Sequence, residues 1–121
     1  MSLKLAYLTY PLTRGSFKTN KAKAERLALK IMKKNPDLFV VIPHHTTAYS
    51  DKNGGTYQSI LFDLAIIGKV DFVIMGKPLN YSESSGAVWE WAVCQFLDVE
   101  VVSSDYMLGK TKSKQGWQNK N

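Results

Sequence analysis

The sequence predicts an α/β fold, a doubly wound parallel sheet of about four to five strands flanked by helices. Three observations lead there. Short apolar runs recur at 3–9, 38–42, 70–75 and 99–103. Stretches with helical periodicity separate them, giving the order βαβαβαβ. Strands so uniformly apolar are buried on both faces, as in a parallel sheet between two helix layers.

The first run, LKLAYLT (3–9), is rich in β-formers and ends at Tyr10-Pro11, where proline cannot donate to a ladder. After the loop LTRGSF, Ala24, Leu27, Ala28 and Ile31 recur at helical spacing, with lysines on the other faces. Thr19 or Asn20 is the expected cap, and Asn35-Pro36 the expected end. LFVVI (38–42) is a strand closed by Pro43, and HHTTAYSDKNGG (44–55) reads as a loop. Loops of that length in compact domains usually carry function. A second helix runs from Thr56 to Gly68 with Ile60, Leu61, Leu64 and Ile67 as its buried stripe. VDFVIM (70–75) is a third strand, GKPLNYSESSG a second polar loop, and Ser85 to Leu97 a third helix. VEVVS (99–103) supplies a fourth strand. Residues 1–109 are thus one domain, and 110–121 a basic tail expected to be disordered. In flavodoxin- or Rossmann-like sheets, ligands bind outside the carboxyl ends of the strands. Here those ends are 10–14, 43–55 and 76–85.

The chain's 121 residues suit one domain. No apolar run approaches the ~20 residues of a membrane span. Cys94 is the single cysteine, so no intrachain disulfide can form, and no Cys/His set has zinc spacing. The expectation is a cytoplasmic domain without metal or other cofactor and without membrane contact. The net charge of +6 is unevenly spread. Residues 1–34 carry nine Lys/Arg against Glu25, a net +8; residues 35–109 are −6, and 110–121 are +4. The basic character belongs to the ends of the chain. A small molecule is therefore the expected partner, and nucleic acid is not expected.

Glu90 is the most informative titratable residue. At about 100° per residue it shares a helix face with Gly86, Ala87, Val93, Cys94 and Leu97. A glutamate among such small and apolar neighbours suits a nucleophile or base, although an ion-paired or edge-exposed glutamate fits the same periodicity. Asp63 lies off the apolar stripe of the second helix, as an exposed aspartate would. Asp71, at a strand start, suits a bond to loop amides. His44-His45 open the long loop as hydrogen-bonding residues or an acid–base pair. Tyr7, Tyr10, Tyr49, Tyr57, Tyr81, Trp89 and Trp91 make an aromatic-rich set. Without a Walker A loop, a GxGxxG turn or a GxSxG elbow, the sequence gives no support to a P-loop NTPase, a dinucleotide oxidoreductase or an α/β-hydrolase.

Four features resemble the nucleoside 2-deoxyribosyltransferase superfamily, in its small uncharacterised bacterial and phage branch. They are Tyr7-Leu8-Thr9-Tyr10-Pro11, Asn20 before an alanine-rich helix, the Asp63…Asp71 pair eight residues apart, and Ser84-Ser85-Gly86-Ala87-Val88-Trp89-Glu90. The likeness spans residues 3–104. It implies an N-glycosidic-bond enzyme, a nucleoside deoxyribosyltransferase or a nucleoside or nucleotide N-glycosidase. By resemblance Glu90 is the nucleophile that holds a covalent glycosyl intermediate, and Asp63 assists protonation of the departing base. Tyr7 and Tyr10 would line the sugar and base pocket, and Gly86 would let the sugar approach the helix start. At Ser84 the chain departs from the characterised transferases, which carry an acidic residue there in recognising the sugar. A serine favours a phosphorylated sugar, as in relatives that hydrolyse deoxynucleoside monophosphates. The resemblance also implies a homo-oligomer. The alternative is a non-catalytic nucleotide-binding or sensing domain on the same fold.

Overall fold

Strand β1 (Lys4–Thr9) leads into the long helix α1 (Phe17–Lys34), and β2 (Leu38–Val41) into a single helical turn, α2 (Pro43–Thr46). The computed structural model describes residues 2–10, 17–46, 64–76 and 92–115. Helical backbone at 64–67 (α3) precedes β3 (Phe72–Met75), and helical backbone at 92–97 (α4) precedes β4 (Val101–Ser103). A last turn, α5 (Ser104–Met107), follows. The sheet has four strands in the order β2-β1-β3-β4, with every pairing parallel. The doubly wound α/β fold read from the sequence is the observed one.

The alternation of each strand divides the core into two layers. Ala6, Leu8, Val40, Ile74 and Val102 face one side and pack with Ala24, Ala28 and Ile31 of α1 and with Leu108 after α5. Tyr7, Val73, Met75 and Val101 face the other side and pack with Ile67 of α3 and Cys94 of α4. Burying Ile31 completely removes an isoleucine side chain from water, a gain of roughly 2–3 kcal/mol. Opposite faces for α1 and for the α3–α4 pair follow from right-handed crossovers. The chain steps from β1 to β2 in one direction and from β2 to β3 and β4 in the other.

Several boundaries differ from the sequence reading, each for a physical reason. α1 begins at Phe17, so Thr19 and Asn20 lie in its first turn instead of capping it. No breaker stands between Phe17 and Asn20, and polar side chains suit a first turn whose amides lack helical acceptors. The loop expected from His44 begins instead as helix, because Pro43 at a first helical position has its φ preset. The His45 amide donates to the Ile42 carbonyl at 3.3 Å and closes that turn. Residues 110–115, assigned by sequence to a disordered tail, run back along the outer edge of β4. There the Ser103 amide donates to the Lys114 carbonyl at 2.6 Å, and the Gln115 amide group donates to the Val101 carbonyl at 2.8 Å. Lys114 Nζ also pairs with Glu100 at 3.1 Å. An edge strand with open amides invites association, and this segment covers it. Among the described residues no helix is long and apolar enough to cross a membrane.

Asp71 has the structural role its position suggests. The Leu5 amide donates to Asp71 Oδ2 at 2.8 Å, and the Asp71 amide donates to the Leu5 carbonyl at 2.8 Å. These two bonds join β1 to the entry of β3. Asp71→Ala removes the side-chain acceptor and should cost about 1 kcal/mol. A thermal melt should register that as a fall of about 3–6 °C.

Candidate functional site

The strand order places the switch point between β1 and β3, because the chain leaves β1 toward β2 but returns to its other side as β3. Crevices of this kind, outside the carboxyl ends of the strands, are the usual ligand sites of open α/β sheets. The rim is built by Tyr10 after β1, His44 after β2, Gly76 after β3 and Ser104 after β4.

At the switch point the two strands come unusually close. A Cβ on Gly76 would stand 2.6 Å from the Thr9 carbonyl oxygen, 2.8 Å from Tyr10 Cδ2 and 3.2 Å from Leu8 Cδ1. Only glycine fits without a backbone shift. The Gly76 amide donates to the Thr9 carbonyl at 3.0 Å, so the ladder extends to the rim itself. Ser104 Oγ donates to the Gly76 carbonyl at 3.4 Å and ties the β4 end to the same place. Behind it Thr9 Oγ1, wholly buried, donates to Met75 Sδ at 3.3 Å.

Tyr10 lies at the rim, half-buried against the α1 side of the core. Burial raises its phenol above the ordinary range, and the Arg26 guanidinium opposes that rise. At neutral pH the hydroxyl is therefore protonated and can donate a hydrogen bond. Its ring centroid is 6.3 Å from that of His44, with the planes tilted by 58°. The adjacent histidines have different environments. His44 is 2% exposed, in the rim beside Tyr10, whereas His45 faces solvent. His45 Nε2 lies 2.9 Å from Glu25 Oε2 of α1 and so pins α2 to that helix. The hydrogen bond from His45 holds the Glu25 carboxyl below its usual range, against opposing desolvation, with help from Lys21, His45 and His44.

Tyr7 and Tyr10, expected together in one pocket, are on opposite faces of the sheet. Tyr7 is 0% exposed in the layer under α3 and α4, while Tyr10 packs toward α1. They are three positions apart, and an odd offset along a strand reverses the face. Asp63, Ser84, Gly86 and Glu90 lie outside the described residues, as do Tyr49, Tyr57, Tyr81, Trp89 and Trp91. Of the residues sharing Glu90's periodicity, Cys94 is buried and Val93 half-buried on the sheet, but Leu97 is 48% exposed in the last helical turn. The helix ends there, at Asp98 with φ 59°. Among the described residues no group of three or more His, Cys, Asp or Glu side chains could hold a metal ion.

Sequence reasoning passed over Gly76, Arg26 and the Glu25–His45 contact. A glycine directly after the third strand was the available signal for the first. The other two need the strand order and the α2 turn, which bring separate segments together.

No protein-family model matches the sequence, and no curated protein does. Among solved structures, the chain is similar to a conserved protein from Enterococcus faecalis V583, with TM-score 0.67 and 17% identity. The match covers 84% of this chain and 63% of that one, so this chain spans under two thirds of that protein's length. At this identity the likeness speaks for the fold. It supports the doubly wound sheet independently of the strand pattern.

Gly76→Ala tests how tightly the switch point is built. Overpacking against the Thr9 carbonyl should destabilise the protein by roughly 1–3 kcal/mol. Urea unfolding should show it as a lower midpoint with an unchanged slope.

Proposed function

We propose that this protein acts on the N-glycosidic bond of a nucleoside or nucleotide, with Glu90 as nucleophile and Asp63 assisting departure of the base. One observation carries the reading most of the way. The helical backbone at 64–67 and 92–97, which follows Asp63 and Glu90 in the sequence, packs on one face of the sheet through Ile67 and Cys94. Both helices lead into strands of a parallel sheet, so the chain enters each from the side of the carboxyl rim. Two carboxylates suit retaining glycosyl chemistry, which needs one beneath the sugar ring and a proton donor for the leaving group. The switch point between the carboxyl ends of β1 and β3 is where open α/β sheets take their ligands, and the protonated phenol of Tyr10 stands there as a donor.

In the first step Glu90 attacks the anomeric carbon as the bond to the base breaks. The base takes the electron pair of that bond and a proton delivered with the aid of Asp63. Water or a second base then attacks the anomeric carbon and gives up a proton with the aid of Asp63, and the bond to Glu90 breaks, which frees its carboxylate. Serine at position 84 directs the preference toward a 5′-monophosphate, because a hydroxyl accommodates an anion where a carboxylate repels it. Assembly of two or more copies belongs to the same reading. Phe96, 85% exposed on α4, and Leu97 offer apolar surface for it.

Incubation with a panel of deoxynucleosides and their monophosphates, followed by chromatography for free base, tests the proposal. Release or exchange by the unaltered protein, reduced at least ~100-fold in Glu90→Gln, is the expected result. No turnover on any member of the panel, or equal activity in the variant, counts against it.

A further inference from the structure

The two basic segments of the sequence, 1–34 and 110–121, are far apart along the chain but meet in the fold. Asn35 Nδ2, just after α1, donates to the Met107 carbonyl of α5 at 3.1 Å. Lys34 Nζ lies 3.8 Å from where a Cβ would stand on Gly109. Gly109, at φ +78°, turns the chain into Lys110 and Lys112, both exposed. The start of the basic tail is thereby docked against the lysine-rich end of α1.

On α1 itself the charges form one stripe. At 100° per residue, Lys23, Arg26, Lys30, Lys33 and Lys34 fall within about 100° of arc, and all five are exposed. No acidic residue shares that arc. Glu25, the one acid of α1, lies round the helix and is engaged by His45. Arg26–Lys30 and Lys30–Lys34 are like-charge pairs at i,i+4, which weaken a helix. Lys33 and Lys34 gain from the helix dipole at the C-terminus, but Lys23 and Arg26 are too far from it. Asp37, just beyond the helix, and Asp105 of α5 are exposed acids outside the stripe.

We infer that the outer face of α1, extended by Lys110 and Lys112, binds the phosphate backbone of a nucleic acid. The stripe runs about 16 Å, from Lys23 to Lys34 at ~1.5 Å per residue. A stripe of that length can reach several phosphates on the strands flanking a groove, with Lys110 and Lys112 extending the contact. A membrane surface fits less well, since the apolar side of α1 (Ala24, Ala28, Ile31) is buried against the sheet and cannot insert. A protein partner fits less well too, since the stripe has no apolar centre of the kind interfaces are built around. The inference stands independently of the glycosidic reading, which concerns the carboxyl rim.

Fluorescence anisotropy of the full chain with labelled single-stranded and duplex oligonucleotides tests it, with salt varied from 50 to 200 mM. The affinity should fall more than tenfold across that range, with a log–log slope of about −3 to −5. The variant Lys23→Gln/Lys30→Gln/Lys34→Gln should bind at least ~10-fold more weakly and flatten the slope by about 2. Its melting temperature should stay the same or rise slightly, because like charges have been removed. No binding at 50 mM salt, salt-insensitive binding, or unchanged binding by the triple variant overturns the inference. Competition by polyglutamate as effective as by unlabelled oligonucleotide also overturns it, in favour of an acidic protein.

Discussion

The pairing of β1 with β3 is the joint on which the rest of the structure depends. Residues adjacent in this pair come from chain segments some 66 positions apart, Ala6 against Phe72 through Thr9 against Met75. The joint is secured at both ends. Asp71 and Leu5 exchange hydrogen bonds at the amino end, and Gly76 reaches the Thr9 carbonyl at the carboxyl end. Because β2 already occupies the other edge of β1, this pairing reverses the direction of winding. It therefore sets which helices cover which face and where the crevice opens.

From that joint follows a division of labour between the two layers. The α1 layer holds the larger described core cluster, Tyr10 at the rim, and the outward basic stripe. The other layer holds α3 and α4, packed on the sheet through Ile67 and Cys94. Tyr10 stands at the rim on the α1 side, with the His44 ring beside it. The segment after α5 closes the exposed edge of β4.

Much of this was legible in the sequence because apolar strands and period-3.6 helices carry their own signals. The four strands, the α1 stripe of Ala24, Ala28 and Ile31, and the structural use of Asp71 all follow from local pattern. Contacts between distant segments were not legible. Nothing near Gly76 announces that Thr9 and Tyr10 approach within van der Waals distance of it. Nothing near Gly109 announces that Lys34 is its neighbour in space. The opposite facing of Tyr7 and Tyr10, by contrast, was available from the two-residue period of a strand, and the family resemblance obscured it. The sum of +6 likewise hid an arrangement: the charge forms a face only once α5 has turned the tail against α1.

The central claim is that the rim at the β1–β3 switch point receives a nucleoside or nucleotide between Tyr10 and the two carboxylates. A crystal structure of the full chain soaked with a deoxynucleoside monophosphate tests it most directly. The account predicts ligand density against Tyr10 and Gly76, with the Asp63 and Glu90 carboxylates both turned toward the glycosidic bond. Carboxylates facing different sides of the sheet, or a ligand seated away from the rim, would contradict it.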